Sequence, residues 1–439
     1  MSFFLIFLFF IFIFCGKKSD FLENIIKGED FFNNSNYTNL INDNNKLIGN
    51  NSKRKLQEGK LPIRIKYEIS SLESNTHFQD YPEELKIIKR ALLRVDNIIS
   101  KLVKVNHLVS ITINEDDKIN LNNSGFEVEE TVYNSRDLIV FIKGKDYYEK
   151  YFALPGIIKQ LNENGNIGKG RPIIGYIILN TRHEAYSKGN DVQKEELFSI
   201  ILLHELTHIL GFKRSILNDK LMLGSIVKKR INKVNKEKII IKGTKILEKA
   251  RLYFNCSSIT GIEIDNRTLI EGEEYIHWEG RLLLGDYMSS DFYYQEQVIS
   301  EITLALLEDL GWYDINYFTG GLMKFGKYQG CEFLDEDCIN ATSTKAPFPN
   351  QFCNDGRYPT CSSGRLSRGQ CDIFFELPST SEYYRNNYEY LYLDEIAVGY
   401  GSFISEYCPK STHLLHYRQY EDYFSGNCNV GNDEYRIWL

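Results

Sequence analysis

Residues 192–211 read VQKEELFSIILLHELTHILG. Phe198, Leu202, Leu206 and Ile209 recur at helical spacing and form one stripe that can pack on a sheet. Asp191 is the expected N-cap, with Glu195 nearby, and Gly211 supplies the residue that ends the helix. Inside this helix lies His204-Glu205-Leu206-Thr207-His208. Histidines at i and i+4 stand one turn apart on one helix face, so both imidazoles can reach one metal ion. Zinc accepts such nitrogen ligands, and Glu205 sits beside them, placed to take a proton from water. The apolar flanks, FSIILL before and IL after, suit a buried helix.

A reactive zinc site needs a third protein ligand and one open position. Gly211, three residues past His208, lets the chain turn sharply out of the helix. A zincin with a glutamate third ligand would instead stay helical here and place that Glu on a second helix. The remaining histidines are His77, His107, His183, His277, His413 and His416. His277 stands out, because it lies eleven residues before Met288 in a glycine-punctuated loop, EGEEYIHWEGRLLLGDYMSS.

HELTHILGF, a long insertion, HWEGRLLLGDYM and then ISEITLALLEDLGWY together resemble the leishmanolysin family of metzincin zinc proteases. YFNC ahead of the third histidine and GCEFLDEDC in the tail extend the likeness. It covers Glu195 to Cys371 well, and Leu61 to Asp191 only by the order of elements. The resemblance implies that His204, His208 and His277 hold one Zn2+ per chain. It makes Glu205 the general base and Met288 the methionine of a turn beneath the metal. It also implies hydrolysis of peptide bonds in protein or peptide substrates. One departure stands out: members of the family often carry a pro-segment cysteine that plugs the zinc, whereas no Cys lies between Gly16 and Asn255. Latency would then rest on steric cover or another ligand, with His77 and His107 as substitutes. The rival from another class is a catalytically silent adhesion or binding protein on the same scaffold. A replaced Glu205 or a missing ligand would signal it, and neither is seen.

Upstream, IRIKYEI (Ile63 to Ile69) alternates as a half-buried strand does. Pro82-Glu83-Glu84 opens a long helix, with Leu85, Ile88, Leu92, Val95, Ile99 and Leu102 on one stripe. LVSITI (Leu108 to Ile113), DLIVFIKG (Asp137 to Gly144) and RPIIGYIILN (Arg171 to Asn180) read as further strands. The last, broken by Gly175, is the candidate cleft edge for pairing with an extended peptide. Residues 213–249, rich in Lys and Ile, follow no clear physical logic. A helix is expected from about Phe292 to Leu310, with Val298, Ile302, Ala305 and Leu306 on one side and Gly311 closing it. The class is α+β: a metzincin-like zincin catalytic domain, with a mixed sheet, long helices and the active-site helix, plus a loop-rich, disulfide-stapled C-terminal domain. The expected segments are 1–15, 16–60, 61–211 ending in the His-bearing helix, 212–311 with the third-ligand loop and methionine turn, and 312–439.

The first fifteen residues, MSFFLIFLFFIFIFC, are apolar over a length that suits a signal peptide rather than a bilayer span. No Lys or Arg precedes the run, so an uncleaved anchor is the alternative. Gly16 to Lys60 is Asn-rich and without apolar period, as in a disordered linker or pro-segment. Eight of the nine cysteines lie from Cys256 onward, mostly in the last quarter, as in the disulfide framework of an exported protein. A net charge of −7 argues against nucleic acid, which wants a basic face. The expected localisation is secreted or at the extracellular surface. A monomer is expected, and association with a membrane surface stays open.

Overall fold

A computed structural model describes residues 59–147, 151–161, 169–183, 186, 190–229, 235–265, 274–289, 297–317, 323–338 and 348–353, with shorter stretches between 359 and 413. The expected signal peptide and all but the last residues of the Asn-rich segment lie outside them. Gly59–Leu439 forms one compact unit. Among the described residues no helix is long and apolar enough to cross a membrane.

The sheet that carries the site has four strands: β1 (Ile65–Glu68), β2 (Leu138–Lys145), β3 (Ala153–Gln160) and β4 (Pro172–Asn180). Their spatial order is β1-β2-β4-β3. β1 and β2 pair in parallel, with Ile65 opposite Leu138, as do β2 and β4, with Ile139 opposite Ile174. β3 runs antiparallel on β4 and closes one edge. The assignment of Arg171 to Asn180 as the cleft edge is therefore corrected: β4 is interior and β3 is the edge. Eight of its nine residues are buried, because a near-continuous apolar run is what a strand covered on both faces requires. Gly175 has its own reason. A Cβ there would lie 2.7 Å from Ile209 Cγ2 and 2.8 Å from the Gly156 carbonyl, so only glycine lets the histidine-bearing helix settle on the strand.

Two long helices pack on the sheet. Helix α1 (Pro82–Leu102) starts at a proline and buries Ile88, Leu92, Val95, Ile99 and Leu102, the expected stripe, while Leu85 is half-buried. Helix α2 (Asp191–Leu210) carries the two-histidine motif. Its N-cap is Asn190 rather than the expected Asp191. The Asn190 side chain accepts from the Gln193 amide at 3.0 Å, and the Asn190 amide donates to Gln193 Oε1 at 2.9 Å. This reciprocal pair satisfies two end-of-helix donors at once. Glu195 instead meets Arg90 of α1 at 2.7 Å.

Beyond α2 the Lys- and Ile-rich stretch forms a hairpin, β5 (Met222–Lys229) with β6 (Asn235–Lys242), joined by the short β7 (Ile262–Glu263). Helix α3 (Thr244–Phe254) lies between β6 and β7 in the chain. The helix expected from about Phe292 is shorter: α4 spans Glu301–Asp309. Ser300 caps it, accepting from the Thr303 amide at 3.2 Å. Val298, placed on that helix by its spacing, is extended instead. It pairs with the loop at residues 285–287 through Val298 N–H to Gly285 O and Tyr287 N–H to Val298 O. Gly311 follows at φ 79°. In the tail, helix α5 (Gly330–Asp335) is joined to the end of α3 by Cys256–Cys331. Cys338–Cys408 and Cys353–Cys371 staple short strands and loops. Cys428 lies outside the described residues.

Asp137, at the mouth of β2, is fully buried and holds the sheet's entry together. It takes two bonds from the Arg64 guanidinium, at 2.9 and 3.0 Å, and two from the Arg64 and Leu108 amides. Burial alone would raise this carboxyl. The Arg64 side chain, the Leu108 and Arg64 amides and the Arg64 charge outweigh it and hold the carboxyl below the usual Asp value. A carboxyl lowered on folding contributes stability that is complete above ~pH 5 and drains away as pH falls through ~3.9 and then the folded value. Asp137→Asn is expected to cost on the order of 3 kcal/mol at pH 7 by stranding the half-buried Arg64. The loss should shrink at pH 3, read as the gap between wild-type and variant denaturant midpoints. A gap independent of pH would separate Asp137 from the acid sensitivity of the fold.

Candidate metal centre

Helix α2 is buried over its last turns: Ile201, Leu202, Leu206, Ile209 and Leu210 are each 1% exposed or less. At ~2 kcal/mol per buried side chain this face contributes on the order of 10 kcal/mol as an upper bound. That burial drags polar groups inside with it. His204 is 2%, His208 1% and Glu205 5% exposed.

The two imidazoles are oriented by main-chain carbonyls. His204 Nδ1–H donates to Tyr287 O at 2.6 Å, and His208 Nδ1–H donates to Phe212 O at 2.7 Å. Gly211 makes the second bond available. At φ 135° it turns the chain so that Phe212 O comes back onto the helix end, while the Gly211 and Phe212 amides bond the Thr207 carbonyl. A Cβ at Gly211 would lie 2.6 Å from Leu310 Cδ1. With Nδ1 protonated, each ring presents a bare Nε2 lone pair. Burial lowers His204 to about 4 against the opposing Tyr287 bond, and burial with the His204 charge puts His208 well below its usual value. Both rings are therefore neutral near pH 7.

The two Nε2 atoms lie 3.1 Å apart, and His277 Nε2 is 3.1 Å from that of His204. All three ligand atoms fall within 4.8 Å of one another. Two neutral acceptors facing each other at that distance cannot hydrogen-bond and repel unless a cation sits between them. Tetrahedral zinc at ~2.05 Å from each nitrogen would set them ~3.3 Å apart. The donor set, tautomers and spacing thus fit zinc. His277 reaches the helix on the loop that follows β7: Asp265 N–H donates to its carbonyl at 2.9 Å, and Trp278 is wholly buried beside it. Met288 is buried next to Tyr287, which gives His204 its carbonyl, and its own carbonyl accepts from Trp278 N–H at 3.0 Å.

Glu205 sits between the two helix histidines. Burial pushes its carboxyl up to about 8, and among the described residues nothing hydrogen-bonds it. His77 and His107, considered as latency ligands, lie elsewhere: His77 Nε2 bonds Glu84 at 2.8 Å, and His107 Nε2 bonds the Pro62 carbonyl at 2.9 Å.

Sequence reasoning passed over several neighbours. Tyr287 lends its carbonyl to His204, and its hydroxyl meets Thr207 Oγ1 at 2.9 Å. Since the Thr207 proton goes to Leu203 O, Tyr287 is the donor. Tyr275 stands edge-on to His208 with ring centres 5.3 Å apart. Burial first, then the charges of Tyr176, Glu205 and Glu274, raise its hydroxyl above the usual Tyr value and keep it a donor. The only signal for either was adjacency: Tyr275 precedes His277 by two residues and Tyr287 precedes Met288 by one.

Three imidazoles offered by a helix and a returning loop, beside a mixed sheet, give an α+β protein with a group that could hold a metal ion. The leishmanolysin family model matches residues 135–429, and the chain belongs to the leishmanolysin family. It is 27% identical over 286 residues to a leishmanolysin-like peptidase of Drosophila pseudoobscura pseudoobscura, covering 54% of this chain and 41% of that protein. It is 27% identical over 243 residues to leishmanolysin of Leishmania donovani, covering 55% and 38%. It is 31% identical over 185 residues to a leishmanolysin-like peptidase of Caenorhabditis elegans, covering 38% and 27%. These matches thus span well under half the length of the relatives.

His277→Ala is expected to weaken zinc binding by more than roughly 100-fold, measured by competition with a chromogenic chelator. A variant that keeps wild-type affinity would move the third ligand to another residue, as the glutamate alternative requires.

Proposed function

We propose that the chain is a zinc-dependent endopeptidase, exported to the outside or surface of the cell, with His204, His208 and His277 as metal ligands and Glu205 as general base. The observation that carries this reading is the pair of buried, neutral Nε2 atoms facing each other 3.1 Å apart, joined by a third from a distant loop. Zinc held there would supply Lewis acidity, bringing water to a pKa of about 7 and polarising the scissile carbonyl. Glu205 takes a proton from the attacking water and delivers it to the leaving amine. Among the described residues nothing hydrogen-bonds its carboxyl, which leaves it available for both transfers. His204 and His208 are held by Tyr287 and Phe212 so that no rotamer search precedes the reaction. Met288 supplies the apolar floor of the returning loop, in a metzincin-like arrangement.

Among the described residues no strand pairs with β3 on its side away from β4, and an extended peptide can add there as a further strand. Gly156 of β3 lies flat under Tyr176, whose ring occupies the place a Cβ would take. Protein or peptide substrates, with no nucleic-acid partner, suit this edge-strand geometry. The three disulfides among the described residues support passage through an oxidising compartment. The protein is read as acting as a monomer.

Glu205→Ala is expected to keep stoichiometric zinc while casein hydrolysis falls by about 10²–10⁴-fold. Zinc content and initial rates measured on the same preparations decide it. Equal rates in variant and wild type would remove Glu205 from the reaction, and a wild type without hydrolysis would favour the silent binding protein.

A further inference from the structure

His277 meets helix α2 from a distant part of the chain, which returns it across 68 intervening residues after His208. Its ring is half-buried, whereas the residue after it is not exposed at all. The hydrogen bonds around Trp278 form a closed circuit. Trp278 N–H donates to Met288 O at 3.0 Å. Met288 N–H donates to Asp286 Oδ1 at 2.7 Å. Thr303 Oγ1–H donates to Asp286 Oδ2 at 2.7 Å. Trp278 Nε1–H donates to Thr303 Oγ1 at 2.7 Å. Trp278, Met288, Asp286 and Thr303 are all wholly buried.

We infer that Asp286 and Thr303 are positioning residues for the metal: the circuit Trp278–Met288–Asp286–Thr303 clamps the third-ligand loop to the turn at Met288 and to helix α4, and so sets where His277 meets His204 and His208. Three features carry this. The circuit fixes both the main chain and the indole of the residue next to His277, leaving that segment no freedom to rotate. Tyr287, between Asp286 and Met288, gives His204 its orienting carbonyl, so one clamp serves ligands from both helix and loop. The Trp278 ring also packs edge-on to Phe212 at 5.1 Å, the residue whose carbonyl orients His208. Asp286 is saturated for this task, since Ser300 also hydrogen-bonds it from both side chain and amide. A buried hydrogen-bonded network rigidifies when every member is satisfied, and one missing member strands the rest.

The inference rests on the reading of His277 as a ligand, and the experiment separates the two. Thr303→Val keeps the shape but strands Trp278 Nε1 and one Asp286 oxygen; Thr303→Ser restores the hydroxyl. Zinc affinity by chelator competition, the visible absorption of the cobalt-loaded protein and the melting temperature of metal-free protein are measured on the full chain. Thr303→Val is expected to weaken zinc binding by about 10–100-fold and to alter the cobalt spectrum. Thr303→Ser returns both to wild type, and Asp286→Asn behaves as Thr303→Val does. The inference is overturned if Thr303→Val lowers only the metal-free melting temperature, with zinc affinity and cobalt spectrum unchanged. It is equally overturned if Thr303→Ser fails to rescue them. Wild-type protein that binds no zinc would sink the proposed function itself, whatever the variants do.

Discussion

The structure turns on two lone pairs that face each other. His204 and His208 each spend Nδ1–H on a carbonyl, Tyr287 O and Phe212 O, and burial keeps both rings neutral. Their Nε2 atoms are left 3.1 Å apart with no proton to share. Such an arrangement is unfavourable for the protein alone and is stabilised only by a cation. The apolar face of α2 therefore does two things at once. It drives the helix onto Gly175 and the sheet, and it holds two imidazoles in a geometry that water would otherwise relax.

The motif on α2 and the turn at Gly211 were legible because helical periodicity and metal chemistry demand the same residues. The stripe of α1 and the strands at residues 138–145 and 172–180 were legible for the same kind of reason. Other parts were hidden. β3 has no counterpart among the expected strands: it contains Pro155-Gly156, and proline is tolerated on an edge strand where one side needs no partner. The hairpin of β5 and β6 carries lysines where alternation expects apolar residues. One of them, Lys238, is buried, and its charge only partly offsets the burial and the Asp265 charge that push the Glu279 carboxyl up to about 8. Val298 has the spacing of a helix residue but lies before Ser300, and a serine hydroxyl that caps Thr303 sets the start of α4. His277 was singled out by its place before Met288, but its convergence with His204 needed a resemblance, because no local pattern encodes a contact across so many residues.

The tail is tied to the site rather than appended to it. Cys256–Cys331 links the end of α3 to α5, and Arg281, four residues past His277, reaches the end of α5. It is fully buried and donates to the carbonyls of Phe333, Leu334 and Glu336. A guanidinium at a helix C-terminus satisfies carbonyls that have no partner within the helix. The third-ligand loop is thereby anchored on one side to the cysteine-rich region and on the other to α4.

Burial also sets a contradiction at Glu205. In the proposed role of general base it must be ionised to accept a proton, yet burial pushes this carboxyl up to about 8, mostly protonated near neutral pH. Solvating it would remove the cost, but it would also wet the imidazoles and loosen their carbonyl bonds. A divalent cation held on the adjacent Nε2 atoms would resolve both difficulties, because a nearby positive charge favours the carboxylate without solvating it. The neutral imidazoles and the raised carboxyl are thus two consequences of the same burial, and one bound ion would offset both.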